Sequence, residues 1–207
     1  MKLVLGRSDV EILERTPVYK GFFRINAYRL RHKLHQGGWG PEIGREMFER
    51  GHAVAVLLYD PERDALVLID QFRLGAYVAG WTPWLVEVVA GIIEEGESPE
   101  DVARRESLEE AGCVVTDLVL AHTYLVSPGG ASESVSVYCG RIDAEGVGGI
   151  HGLVEEGEDI RVVLVPAAEA LAMLDSGELV NSAVLIAMQW FALNREKVRA
   201  RWLGTAG

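Results

Sequence analysis

Apolar and polar residues alternate in short stretches near the start of the chain, with Phe23 and Ile25 followed by Tyr28 and Leu30. That period of two predicts antiparallel strands over residues 10–13 and 18–34. Gly37-Gly38-Trp39-Gly40-Pro41 then breaks the pattern, and such a cluster marks a boundary. Residues 1–41 therefore read as a small N-terminal β element and residues 42–207 as the main domain. Two largely apolar runs, 46–59 and 65–72, flank Asp60-Pro61-Glu62-Arg63-Asp64, where proline is preset for the second position of a hairpin turn. Further strands are expected over 118–126, 134–142 and 161–165, and helices over 167–175 and 182–198. The glycine-rich stretch 146–152 is expected to be flexible. No internal repeat or low-complexity tract interrupts this order.

Between these elements lies a segment with a different composition. Residues 91–113 hold eight carboxylates. Ser98 before Pro99 reads as a helix N-cap with proline at the first helical position, and Gly112 can stop the helix in the left-handed region. The prediction is a helix over 99–111. At ~100° per residue, Glu106, Glu109 and Glu110 share one arc, while Ala103, Ser107 and Ala111 share another that can pack closely. Glu106 and Glu110 are a like-charge pair one turn apart, which costs a few tenths of a kcal/mol (about 0.2 to 0.5) in a bare helix. Most acidic runs are solvated surface. Here a hard divalent cation that takes carboxylate, carbonyl and phosphate oxygens is the better explanation of the clustering. Gly91 and Gly96 bracket the preceding loop and allow tight backbone near such ligands.

The wider composition limits the choice of partners. A chain of 207 residues suffices for one core but not for two full-sized domains. A net charge of −11 argues against nucleic acid, whose phosphates require clustered Lys and Arg. The apolar run 183–193 is interrupted by Gln189 and falls short of the ~18 residues a membrane span needs, so no membrane association is expected. Cys113 and Cys139 lack metal-ligand spacing, and Arg7 and Asp9 come too early for a secretory signal. The expectation is reduced core thiols and a cytoplasmic location.

Gly91, Glu97, Arg105, Glu106, Glu109, Glu110 and Gly112 fit the signature G-x5-E-x7-R-E-U-x-E-E-x-G-U, where U is bulky and aliphatic. Seven fixed positions match a given window by chance with a probability on the order of 10⁻⁹ to 10⁻⁸. On these residues the chain resembles the Nudix hydrolases. Ser107 departs from the signature, which has an aliphatic residue there. Pro128, sixteen positions after Gly112 in Ser127-Pro128-Gly129-Gly130, resembles the mark of the ADP-ribose-hydrolysing branch; taken alone it is an ordinary turn.

The resemblance implies an α/β (α+β) fold, a Nudix-type α/β/α sandwich around a mixed sheet preceded by the small antiparallel N-terminal element. It also implies Mg²⁺-dependent, or Mn²⁺-dependent, hydrolysis of the pyrophosphate of ADP-ribose to AMP and ribose 5-phosphate. Residue by residue, the implied metal ligands are the carbonyl of Ala90 with Glu106, Glu110 and Glu158. The implied general base is Glu156, with Glu155 one position earlier as the alternative. Implied substrate contacts are Phe22 and Phe23 near adenine, Arg45, Glu46, Arg50, Arg73 on phosphate, Ile92, Ser127, Pro128, Gly129 and Glu133. Taken singly, Phe22 reads better as a core aromatic, since large aromatics are usually buried. In the resembling enzymes the N-terminal strands cross to a second subunit, and 41 residues rarely make a core alone, so a homodimer is expected. The competing readings are a Nudix pyrophosphatase for another sugar nucleotide such as GDP-mannose, and a non-catalytic nucleotide sensor. Such sensors tend to lose box carboxylates, and this chain keeps them all.

Overall fold

The computed structural model describes residues 5–153, Glu155 and residues 157–205. They divide into two compact units: one runs up to Gly51 and includes Leu125–Ser134, the other comprises His52–Tyr124 and the chain from Val135 onward.

The first unit is built on an antiparallel sheet of β1 (Val10–Lys20), β2 (Arg24–His32) and β3 (Ile43–Glu49), in that order. β1 runs through Pro17, which an edge strand tolerates because one row of its N–H groups has no neighbour to bond. Irregularities at Ile12/Glu14 and Pro17/Tyr19 adjust its register to β2. The strand expected over 18–34 is therefore broken at residues 21–23, and its first part belongs to β1. Glu49 ties the sheet together, accepting hydrogen bonds from Arg15 (2.6 Å), the buried Asn26 (2.6 Å) and Tyr28 (2.5 Å).

The second unit holds β4 (Ala53–Asp60), β5 (Ala65–Phe72), the short α1 (Leu74–Val78), β6 (Trp84–Glu87), β7 (Val89–Ile92) and α2 (Pro99–Ala111). There follow β8 (Asp117–Leu125), β9 (Ser134–Arg141), β10 (Gly149–His151), β11 (Ile160–Pro166), α3 (Ala167–Ser176) and α4 (Ser182–Leu203). Its mixed sheet runs β10-β11-β5-β4-β9-β8, with β6 paired to β5 and β7 to β4; β4 and β9 are parallel, β4 and β5 antiparallel. β4 is apolar on both faces because helices cover both. Val54, Val56 and Leu58 pack with Val102 and Ala103 of α2, while Ala55, Leu57 and Tyr59 pack with Val184, Met188 and Phe191 of α4. Two-sided burial of this kind removes the alternation that a half-exposed strand would show. The single run expected over 46–59 is interrupted at Gly51, whose φ of +87° turns the chain between β3 and β4. The stretch 146–152, expected to be flexible, carries β10 against β11. Among the described residues no helix is long and apolar enough to cross a membrane.

The β4–β5 turn anchors α4. Asp64 adopts φ +52°, a left-handed conformation that Asp tolerates better than most residues. Its carboxylate accepts from the Tyr59 hydroxyl (2.7 Å), from Arg195 Nε (3.1 Å) and from Arg195 Nη2. Arg195, with the Tyr59 hydroxyl and Arg199, holds the carboxyl below the usual carboxylate range although burial opposes this. A depressed pKa stabilises the fold above the unfolded value and loses that contribution as pH falls through the folded one. Asp64→Asn keeps the left-handed tolerance and removes the charge. We expect it to lower unfolding free energy by about 1–3 kcal/mol at neutral pH. Urea titrations of both proteins should find the difference narrowing below the carboxylate range.

Candidate functional site

In the second unit the acidic helix forms where its local signals place it. Ser98 caps α2, its Oγ accepting from the Asp101 amide at 3.2 Å, and Gly112 ends it at φ +64°. Val102, Ala103 and Ala111 are buried against the sheet. Ser107, the departure from the signature, is also fully buried, and its hydroxyl donates to the Ala103 carbonyl at 2.6 Å, so the polar atom is satisfied within the helix.

The signature residues divide into a scaffold and an acid centre. Arg105 donates to Glu97 through Nε (3.0 Å) and Nη2 (3.2 Å), to Glu109 (3.1 Å) and to Glu106 (2.8 Å). Glu97 in turn accepts the Glu94 amide at 3.0 Å, which clamps the loop onto the helix. The bond to Glu97 is the largest of the effects that hold Arg105 firmly charged.

Glu106 and Glu110 point to the strand instead of to water. A Cβ on Gly91 would lie 1.8 Å from Glu106 Oε1, so only glycine lets that carboxylate rest against β7. Glu110 is 4% exposed and accepts the Ala90 amide at 3.0 Å. Burial first, then the charges of Glu106 and Glu158, push its pKa up to about 8, with the Ala90 bond opposing. Burial also raises Glu106, although Arg105 counteracts it. Glu158 accepts the Leu153 amide at 2.9 Å, beside Gly152, where a Cβ would meet the Glu158 Cβ at 2.6 Å. Among the described residues no three His, Cys, Asp or Glu side chains form a ready-made metal cage. Glu106 Oε1 is engaged by Arg105 and Glu110 Oε2 by the Ala90 amide. These acids nonetheless fit a cation: two are dehydrated, they repel one another, and a bare glycine lets one of them rest against the strand that also carries the Ala90 carbonyl. Glu155 is exposed, and Glu156, the residue implied as base, lies outside the described residues.

Ala90 and Ile92 lie on β7, opposite Ala55 and Ala53 of β4. Arg73 follows β5 and is held by Glu87 through Nε (3.0 Å) and Nη2 (2.8 Å). Burial opposes its charge, but Glu87, and at longer range Glu110 and Glu158, hold it protonated. Residue-by-residue reading of the sequence missed Glu87. Its one signal was an acid amid apolar neighbours in Leu85-Val86-Glu87-Val88-Val89.

The first unit gathers most of its implied substrate residues around Phe48. Phe23 meets Phe22 and Phe48 edge-to-face at 4.8 and 5.1 Å, and Arg50 lies over the Phe23 ring at 5.5 Å. Phe22 is 89% exposed, so it is not the core aromatic that its type alone suggests. Arg50 Nε faces the buried Glu133 at 3.4 Å. Ser127, Pro128 and Gly129 form a turn that docks on β3 through Phe48, whose amide donates to the Gly130 carbonyl at 2.8 Å. Arg45 and Glu46, earlier on β3 and exposed, line a shallow cavity of about 430 Å³ with Tyr28.

With a mixed sheet covered by helices on both faces and an acidic helix set against a bare glycine, the second unit has the family and the relatives of a phosphoanhydride hydrolase. The sequence profile of the NUDIX domain matches residues 49–187, and the chain belongs to the Nudix family. It is 48% identical over 202 residues to an ADP-ribose pyrophosphatase of Escherichia coli (strain K12), covering 98% of this chain and 97% of that protein. An ADP-ribose pyrophosphatase of Haemophilus influenzae is 40% identical, with 95% and 92% covered. A GDP-mannose pyrophosphatase of Pectobacterium atrosepticum is 31% identical, with 89% and 98% covered. A crystal structure of an ADP compounds hydrolase superposes with a TM-score of 0.70 over 96% of this chain and 97% of the other at 20% identity, which bears on the fold alone.

The raised pKa of Glu110 sets a pH dependence. A carboxyl raised on folding stabilises the protein fully below its unfolded value, near 4.5, and that contribution is lost as pH rises through about 8. In EDTA, the Tm of the wild-type protein should therefore fall between pH 5 and pH 8.5 more steeply than that of Glu110→Gln. Parallel melting curves of the two proteins check this.

Proposed function

We infer that this chain hydrolyses the pyrophosphate of ADP-ribose to AMP and ribose 5-phosphate with Mg²⁺, or Mn²⁺ in its place. The observation that carries the reading is the dehydrated pair Glu106, set against Gly91, and Glu110, on the Ala90 amide, with Glu158 in electrostatic reach. Relatives at 48% and 40% identity named ADP-ribose pyrophosphatase support the choice of substrate.

Glu106, Glu110, Glu158 and the Ala90 carbonyl would hold the cation. When bound, it offsets the charge of the diphosphate and lowers the pKa of attacking water. Glu156 removes the proton from that water, and Glu155 is the alternative base. Arg73 offers its unbonded N–H groups to a phosphate oxygen. The exposed aromatic pair Phe22 and Phe23 receives adenine; Arg45, Glu46, Arg50, Ile92, Glu133 and the Ser127–Gly129 turn supply the remaining contacts.

Residues 1–41 act as the dimerising element and 42–207 as the hydrolase domain. Val10, Ile12, Val18 and Tyr19 of β1 are 44–58% exposed, an apolar edge suited to a second copy of the chain. Two free, buried cysteines agree with a cytoplasmic location, and the net charge of −11 with the absence of a nucleic-acid partner. The GDP-mannose pyrophosphatase relative makes that sugar nucleotide the competing substrate.

Purified protein incubated with ADP-ribose and Mg²⁺ in ¹⁸O water should yield AMP and ribose 5-phosphate with one labelled product, at a rate well above that with GDP-mannose. Glu106→Gln and Glu110→Gln should abolish turnover, and Glu156→Gln should slow it by ~10² to 10⁴. Preferential cleavage of GDP-mannose would transfer the assignment to that substrate, and inertness toward both would end it.

A further inference from the structure

One fully tied carboxylate of the second unit lies outside the signature. Glu87, on β6, is 3% exposed. Its Oε2 accepts from Arg73 Nε (3.0 Å), Arg73 Nη2 (2.8 Å) and Gln71 Nε2 (3.2 Å), and its Oε1 from Asn181 Nδ2 (2.8 Å). Asn181 is itself fixed as the N-cap of α4, its Oδ1 accepting the Ala183 amide at 2.8 Å. The Arg73 backbone is pinned as well, its amide donating to the Pro83 carbonyl at 2.7 Å. Gln71 of β5 and Asn181 at the start of α4 thus join Arg73 on one β6 carboxylate.

Stability alone does not account for this arrangement. A buried ion pair is weak evidence for stability, because dehydrating the charges offsets much of their attraction, and apolar residues of similar volume often serve as well. The location of Arg73 suggests another purpose. It lies within the field of Glu110 and Glu158, and Glu110 is a buried carboxylate next to Glu106. An arginine free to move there would be drawn onto those acids, since a partly dehydrated site strengthens the attraction. It would then occupy the oxygens a cation needs.

We propose that Glu87 is a positioning residue that keeps Arg73 off the acid centre, leaving Glu106, Glu110 and Glu158 free for a divalent cation and the Nη1 edge of Arg73 free for a phosphate. The inference rests on the reading of those three glutamates as cation ligands. The planar fork of arginine makes the division of labour feasible: Nε and Nη2 go to Glu87, while both N–H groups of Nη1 face away from that bond. Lysine, with one ammonium, could not serve both sides with fixed geometry.

Mn²⁺ titration of the full chain by calorimetry, without substrate, tests the proposal. Glu87→Gln should weaken Mn²⁺ binding about tenfold, as loss of an outer-shell group typically does. Adding Arg73→Ala to it should restore the affinity to within about twofold of Arg73→Ala alone, because the competing cation is gone. A merely structural Glu87 predicts no such rescue, and an unrescued double variant overturns the proposal. Wild-type affinity in Glu87→Gln overturns it too. If Glu87→Gln does not fold, Glu87→Asp, which withdraws the carboxylate by one methylene, should weaken binding in the same direction with the same rescue; its absence counts equally against the idea. Wild-type protein that takes up no Mn²⁺ contradicts the cation reading itself and this inference with it, whereas tight wild-type binding unchanged in the variants contradicts this inference alone.

Discussion

Two glutamates one turn apart on α2 are pressed, largely dehydrated, against one strand, Glu106 where Gly91 carries no side chain and Glu110 on the Ala90 amide. Moving a carboxylate out of water is costly, and placing a second beside it adds repulsion. Glu110 shows the result, with its pKa pushed up to about 8. The fold around it enforces the arrangement. β7 pairs with β4 in a register that sets Gly91 opposite Val54 and Ala90 opposite Ala55, and the small buried face of α2 brings the helix close to that strand pair. A larger residue at position 91 would meet the Glu106 carboxylate.

Arginines frame this centre without cancelling it. Arg105 spreads its donors over Glu97, Glu106 and Glu109, so it stiffens the loop and helix while only partly neutralising Glu106. Arg73 is turned instead toward Glu87, its own buried counter-ion. Both arginines are thus bonded to carboxylates outside the Glu110 and Glu158 pair.

Local signals made the helix and the acid centre legible in the sequence. Ser98, Pro99 and Gly112 fix the helix bounds by capping chemistry, and the expected span 99–111 coincides with α2. The spacing of Ala103, Ser107 and Ala111 identified its packing face. Tertiary features were less legible. Two-sided burial gives β4 a continuous apolar run, which obscured the break at Gly51. β10 lies in a glycine-rich stretch because pairing with β11, and not intrinsic propensity, makes it a strand. The Glu87 lock joins residues more than ninety positions apart, so no window of sequence contains it. Phe22, by type a core residue, is exposed because position within the first unit, and not hydrophobicity, decides its burial.

A divalent cation held by the dehydrated acids of α2 is what the hydrolysis proposed for this chain requires. Crystals of the protein soaked in Mn²⁺ and measured at the manganese absorption edge test it most directly. An anomalous peak coordinated by Glu106, Glu110 and Glu158 beside the Ala90 carbonyl is expected. A map at full soak with no peak beside α2 would contradict it.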